Sequence, residues 1–89
     1  MFSSVHNYYE HMVFERILLI MKERREYINT DFMEDIACIA LNHLPSRYVR
    51  HNVDTAFNLS DAEQEKMNNQ VLRAVNEAFE FSKRRHAPH

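Results

Sequence analysis

The chain has 89 residues, no glycine, two prolines, one cysteine and a formal charge of −2. That bounds it to one domain whose own core is marginal, a situation that oligomerisation commonly relieves. The missing glycine argues against a hairpin-rich β-sheet and rules out a glycine-rich phosphate loop, and the slightly acidic balance supplies no global positive field for direct DNA binding.

The single thiol, Cys38, excludes an internal disulfide framework and a multi-cysteine zinc site, and it fits a reducing cytoplasm. The start of the chain, Met1 to Glu10, is polar and aromatic and does not read as a signal peptide. The most apolar run, Ile17 to Met21, is far shorter than the roughly 20 residues a membrane span needs. A cytoplasmic protein with no membrane partner is expected.

Three helical segments account for most of the chain. The first is predicted from about Val5 to Arg25. Tyr9, Val13, Ile17 and Ile20 form its apolar stripe, flanked by Phe14, Leu18 and Met21, while Tyr8, Met12 and Leu19 fall on the other side. A helix apolar on two sides is either the broad face of a core or the seam of a dimer. The second helix opens at Thr30 or Asp31, with Glu34 completing a capping box on Asp31. Met33, Ile36, Ala37, Ala40, Leu41 and Leu44 recur at helical spacing, and Pro45 ends the helix at Leu44.

The connection from Pro45 to Leu59 is longer than most connections in compact domains and reads as irregular or short-helical, with Tyr48, Val49, Val53 and Phe57 pinning it to the body. The third helix opens on the capping box Ser60-Asp61-Ala62-Glu63. Its stripe is Met67, Val71, Ala74, Val75, Ala78 and Phe81, with Leu72 and Phe79 beside it. Lys83-Arg84-Arg85 suits the negative end of the helix dipole, and 87–89 read as a frayed end.

Candidate chemistry is sparse. Cys38 has no histidine near it in sequence and reads as a small packing residue rather than a nucleophile. The six histidines match no zinc or di-metal spacing; His6 and His11 do not share a helical face, and only His43 and His51, at either side of the connection, could converge. Asp31, Glu34 and Asp35 sit where a helix N-terminus attracts carboxylates without any catalysis. The segment from Asn42 to Arg50 is the most informative. Arg47 and Arg50 offer planar forks for phosphate, and Tyr48 a stacking face for a base, just beyond a helix end. The competing reading is that Tyr48 anchors the core and the arginines pair with acids of the first or third helix.

The same stretch carries a family resemblance. Asp35 to Val49 reads Asp-Ile-Ala-Cys-Ile-Ala-Leu-Asn-His-Leu-Pro-Ser-Arg-Tyr-Val. It resembles the central motif of the late competence development protein ComFB family: an Asp, a small apolar helix, Leu-Asn, a Leu-Pro turn and Arg-Tyr-Val. Asn7, Glu10 and Val13 are similar to the family's N-terminal helix, and the capped helix from Ser60 is similar in placement. Many members carry a Cys-x-Cys-x-x-Cys cluster suited to a metal; the corresponding positions here are Tyr27, Asn29 and Phe32.

The resemblance implies a small helical regulatory or binding protein with no catalytic residues. It implies a homodimer and, as in cyanobacterial relatives, a receptor for cyclic dinucleotides such as cyclic di-GMP or cyclic di-AMP. The expected fold is a single all-α domain over 1–89, of three main helices plus the connection. Asn42, Arg47, Tyr48 and Arg50 are the expected ligand-binding residues, helped by a basic helix end, with no metal and no cofactor. The alternative is an adaptor linked to competence or DNA uptake, which engages a protein partner through the second apolar face of the first helix.

Overall fold

A computed structural model describes residues 4–51 and 58–86, the last by its backbone only. In chain order the elements are β1 (His6–Asn7), α1 (Tyr8–Arg24), α2 (Thr30–Asn42), β2 (Tyr48–Val49) and α3 (Asp61–His86). The domain is mostly helical, but the all-α expectation needs correcting: β1 and β2 pair antiparallel, His6 with Val49 and Asn7 with Tyr48. A two-residue strand leaves no period-2 pattern to read, and its pairing joins positions some forty residues apart, beyond any local signal.

That pairing moves the start of the first helix. Asn7 is extended and caps α1, its side-chain oxygen accepting from the Tyr9 amide at 3.2 Å. The Tyr8 amide, one of the donors a helix start leaves free, donates to the Arg47 carbonyl at 2.7 Å. At the other end Arg25 turns left-handed, with φ 53°. The Arg25 amide donates to the Lys22 carbonyl and the Glu26 amide to the Met21 carbonyl, a six-to-one closure usually built on glycine. A chain without glycine makes it on arginine.

In α2 the cap is Asn29, one residue before Thr30 and two before Asp31, the two expected positions. Its side chain accepts from the Phe32 amide at 2.8 Å. The helix stops at Asn42 rather than Leu44, because Pro45 disfavours helical geometry at the residue before it. In α3 the expected capping box is present. The Ser60 hydroxyl accepts from the Glu63 amide and donates to the Glu63 carboxylate, both at 3.1 Å.

The core lies where the three helices meet, on Val13, Ile17, Ile36, Val75 and Phe79. Tyr9 donates to Gln70 at 2.9 Å near the start of α1, and Arg24 reaches Glu80 near its end, so α1 runs parallel to α3. Phe32, at the start of α2, meets Phe79 edge-on, with ring centroids 6.4 Å apart. His43, just past the end of α2, lies beside Ala74 and Glu77, so α2 runs antiparallel to α3. Of the expected α1 stripe, Tyr9, Val13, Ile17 and Ile20 are buried. Its flanks are reversed in part: Tyr8 and Met12 are buried, whereas Phe14 and Leu18 stand 53% and 43% exposed; Met21 packs against the core as a flank should, and Leu19 is exposed. On α3 the buried aromatic is Phe79, and Phe81 is left half-exposed.

Candidate functional site

The largest opening described lies between the end of α2 and the second half of α3. It has a volume of about 500 Å³ and is walled by Ile39, Asn42, His43, Ala74, Glu77, Ala78, Phe81 and Arg84. A second hollow of about 250 Å³ is lined by Leu44, Pro45, Gln70 and Arg73 and shares His43, Ala74 and Glu77 with the first. The two form one groove, with Arg84 and Phe81 at one end, Arg73 at the other, and His43 and Glu77 between them.

Small residues open it. Ala74 and Ala78 on α3 face Ile39 and His43 and leave space that larger side chains would close. Its charges sit on one stripe, since Arg73, Glu77 and Arg84 lie at i, i+4 and i+11 on α3. Residues four apart can pair, yet Arg73 and Glu77 form no ion pair, and among the described residues Arg84 has no acidic partner either. His43 donates from Nδ1 to the Ile39 carbonyl at 2.9 Å. The Arg85 guanidinium lies 5.8 Å from the centroid of Phe81.

Of the residues singled out from sequence, Asn42 is in this groove, its amide 3.8 Å from the Cys38 sulfur on the exposed side of α2. Arg47 is placed by its backbone. Its amide donates to the Asn7 side chain at 3.1 Å, while its guanidinium reaches Glu63 at 3.8 Å. It lies close enough to Tyr9 to oppose the rise that burial imposes on that hydroxyl's ionisation. Arg47, Tyr48 and Arg50 line neither hollow of the groove. Tyr48 does not anchor the core: it is 69% exposed, and Val49 is the residue of β2 that packs inward. Arg50 and His51 are exposed, and Val53 and Phe57 lie outside the described residues. The residues not anticipated are Arg73 and Glu77; Phe81 was expected in the apolar stripe and Arg84 in the basic end of the third helix. The signal of Arg73 and Glu77 was a charged stripe beside the apolar one on α3, which reads as an ordinary solvated face until α2 is set against it.

The family model for the late competence development protein ComFB matches residues 6–86. The chain belongs to the ComFB family. No curated protein and no solved structure matches it. The matched span begins with β1 and closes with α3, so it takes in the whole described domain and both walls of the groove.

The ComFB cysteine positions can be tested for a metal on this chain's own side chains. Tyr27 is 87% exposed, the Asn29 oxygen is used in capping α2, and the Phe32 ring lies against Phe79. None supplies a thiolate or an imidazole, and among the described residues no three His, Cys, Asp or Glu side chains gather elsewhere. These residues do not fit a metal. The junction is closed instead by Lys83, which donates to Glu26 at 2.7 Å and holds the Glu26 carboxyl below its usual range. No helix among the described residues is long and apolar enough to cross a membrane.

Proposed function

We propose that this chain is a non-enzymatic cytoplasmic receptor of the ComFB type whose α2–α3 groove takes a cyclic dinucleotide. The observation that carries this is the groove itself. Its larger hollow is within the range of small-molecule sites, and it brings a guanidinium, an aromatic ring, an amide and an imidazole together on packed helices. Those groups match the parts of the ligand: arginine for a phosphodiester, Phe81 for a base face, Asn42 and His43 for base or ribose hydrogen bonds. Arg47, with Tyr48 and Arg50 following it, lies outside both hollows and is assigned to the outer rim. Isothermal titration of the purified chain with cyclic di-GMP and cyclic di-AMP tests this. Micromolar or tighter binding to one of them, lost in Arg84→Ala, is expected; no binding to either by folded protein sinks the proposal.

A second reading, an interaction module without a small ligand, is favoured by α1. Phe14, Leu18 and Leu19 are large, apolar and exposed. The occupant we assign is a second copy of this chain. In an antiparallel pairing of α1 with itself, centred on residue 16, Phe14 meets Leu18 of the other copy, and Glu10 comes level with Lys22. Such a face is self-complementary in both packing and charge. Sedimentation of the wild type as a dimer, and of Leu18→Glu as a folded monomer, is expected. A monomeric wild type at tens of micromolar overturns it.

A further inference from the structure

The groove contains a carboxylate that the fold does not use. Glu77 lines both hollows and has no hydrogen-bond or ion-pair partner among the described residues. A carboxylate between two arginines is a poor feature for a site that binds only phosphate, because it repels the ligand's charge. It is a good feature for a site that also reads a base. We propose that Glu77 makes the groove selective for guanine; this rests on the groove being the nucleotide site.

The selectivity follows from donor patterns. A carboxylate only accepts, and it does so best from two parallel donors. On its pairing edge guanine presents such a pair, the ring N1–H and the exocyclic N2–H. Adenine presents one donor beside a ring acceptor, cytosine the same, and uracil or thymine one donor between two acceptors. Any of these sets a lone pair against the carboxylate, whereas guanine satisfies both oxygens. Glu77 and Arg84 are seven residues apart, roughly 10 Å along the helix. That is the reach from the pairing edge of a base to the phosphate of an extended nucleotide. Phe81, four residues beyond Glu77 on α3, stands between them with its ring half-exposed. Base edge, base face and phosphate thus meet carboxylate, ring and guanidinium in order along α3, and Arg73 at the far end is placed for a second phosphate.

The experiment titrates cyclic di-GMP and cyclic di-AMP into the wild type and into Glu77→Gln. Glu77 is exposed and bonds nothing in the described fold, so the variant keeps its circular dichroism and melting temperature. A glutamine amide offers one acceptor and one donor, the complement of adenine's edge. The wild type is expected to bind cyclic di-GMP at least tenfold more tightly than cyclic di-AMP, and Glu77→Gln to lose at least tenfold for cyclic di-GMP and shift its preference towards cyclic di-AMP. Equal binding of the two by the wild type, a preference for cyclic di-AMP, or an unchanged ratio in Glu77→Gln overturns guanine selectivity and leaves the receptor proposal standing. No binding of either to the wild type overturns both.

Discussion

Asn7 ties the start of α1 to the Arg47-Tyr48-Val49 segment through a single atom. Its side-chain oxygen accepts from the Tyr9 amide at 3.2 Å and from the Arg47 amide at 3.1 Å. Asn7→Ala removes both. Loss of an N-cap oxygen costs about 1 kcal/mol. The Arg47 amide, left half-buried without a partner, adds about 1–2 kcal/mol. The expected loss is therefore about 2–3 kcal/mol, and at about 4–8 °C per kcal/mol for a domain of this size the melting temperature falls by roughly 10–20 °C.

Two controls separate the parts. Asn7→Asp keeps the oxygen that accepts both bonds and places a negative charge at a helix N-terminus, so it should match the wild type or exceed it. Asn7→Ser can still cap α1, but its shorter side chain does not reach the Arg47 amide, so it should lose about 1–2 kcal/mol. Urea unfolding followed by circular dichroism reads all three. A cost for Asn7→Ala below about 0.5 kcal/mol, or no rescue by Asn7→Asp, refutes the two-bond account.

Three further outcomes follow from the same structure. Arg25 holds a left-handed conformation that costs an L-residue about 1 kcal/mol, part of which Arg25→Gly recovers against its freer unfolded chain; thermal unfolding should show a gain of about 0.5 kcal/mol. The Ser82 hydroxyl is buried and has no hydrogen-bond partner among the described residues, so Ser82→Ala should be neutral or stabilise by up to about 1 kcal/mol in urea unfolding. Lys83 lowers the titration of Glu26, so their interaction is fully present above the ordinary carboxylate range and is lost as pH falls through the lowered one. Melting temperatures measured from pH 6 downwards should therefore fall less steeply in Glu26→Gln than in the wild type.

The helices were legible because each carries a continuous apolar stripe. Ile36 and Ala40 on α2, and Met67, Val71, Ala74, Val75 and Ala78 on α3, are buried where spacing put them. What spacing could not settle is where a stripe stops. Phe14 and Tyr8 lie at opposite edges of the α1 stripe. The helix wheel treats them as equals, and only the positions of α2 and α3 bury Tyr8 and expose Phe14. The capping box of α3 was legible as it stands, whereas the α2 cap was expected at Thr30 or Asp31 and lies at Asn29, and α1 opens at Tyr8 rather than near Val5. The sheet was not legible, being made of two residue pairs brought together by tertiary packing. The groove was half legible: Asn42 stood out through its motif and Arg84 through the basic helix end, whereas Arg73 and Glu77 gained meaning only once α2 was laid antiparallel to α3.

The stretch from Asn42 to Arg50 serves two roles that different atoms carry. The backbone of Arg47, Tyr48 and Val49 closes the sheet and satisfies the first free amide of α1, and Val49 packs on the core. The Tyr48 side chain takes no part in this and stands in solvent. A motif of this kind is therefore constrained for folding even where its side chains bind nothing. The Arg47 guanidinium meets Glu63 at 3.8 Å, so Arg47→Ala removes a surface ion pair along with the charge proposed above for the rim. Loss of binding in that variant carries weight only beside unchanged stability. Glu77 and Arg84 are free of this ambiguity, because neither bonds anything within the described fold. Binding lost at those two positions with the melting temperature unchanged would place the ligand in the groove. Binding lost only at Tyr48 and Arg50 would place it on the loop.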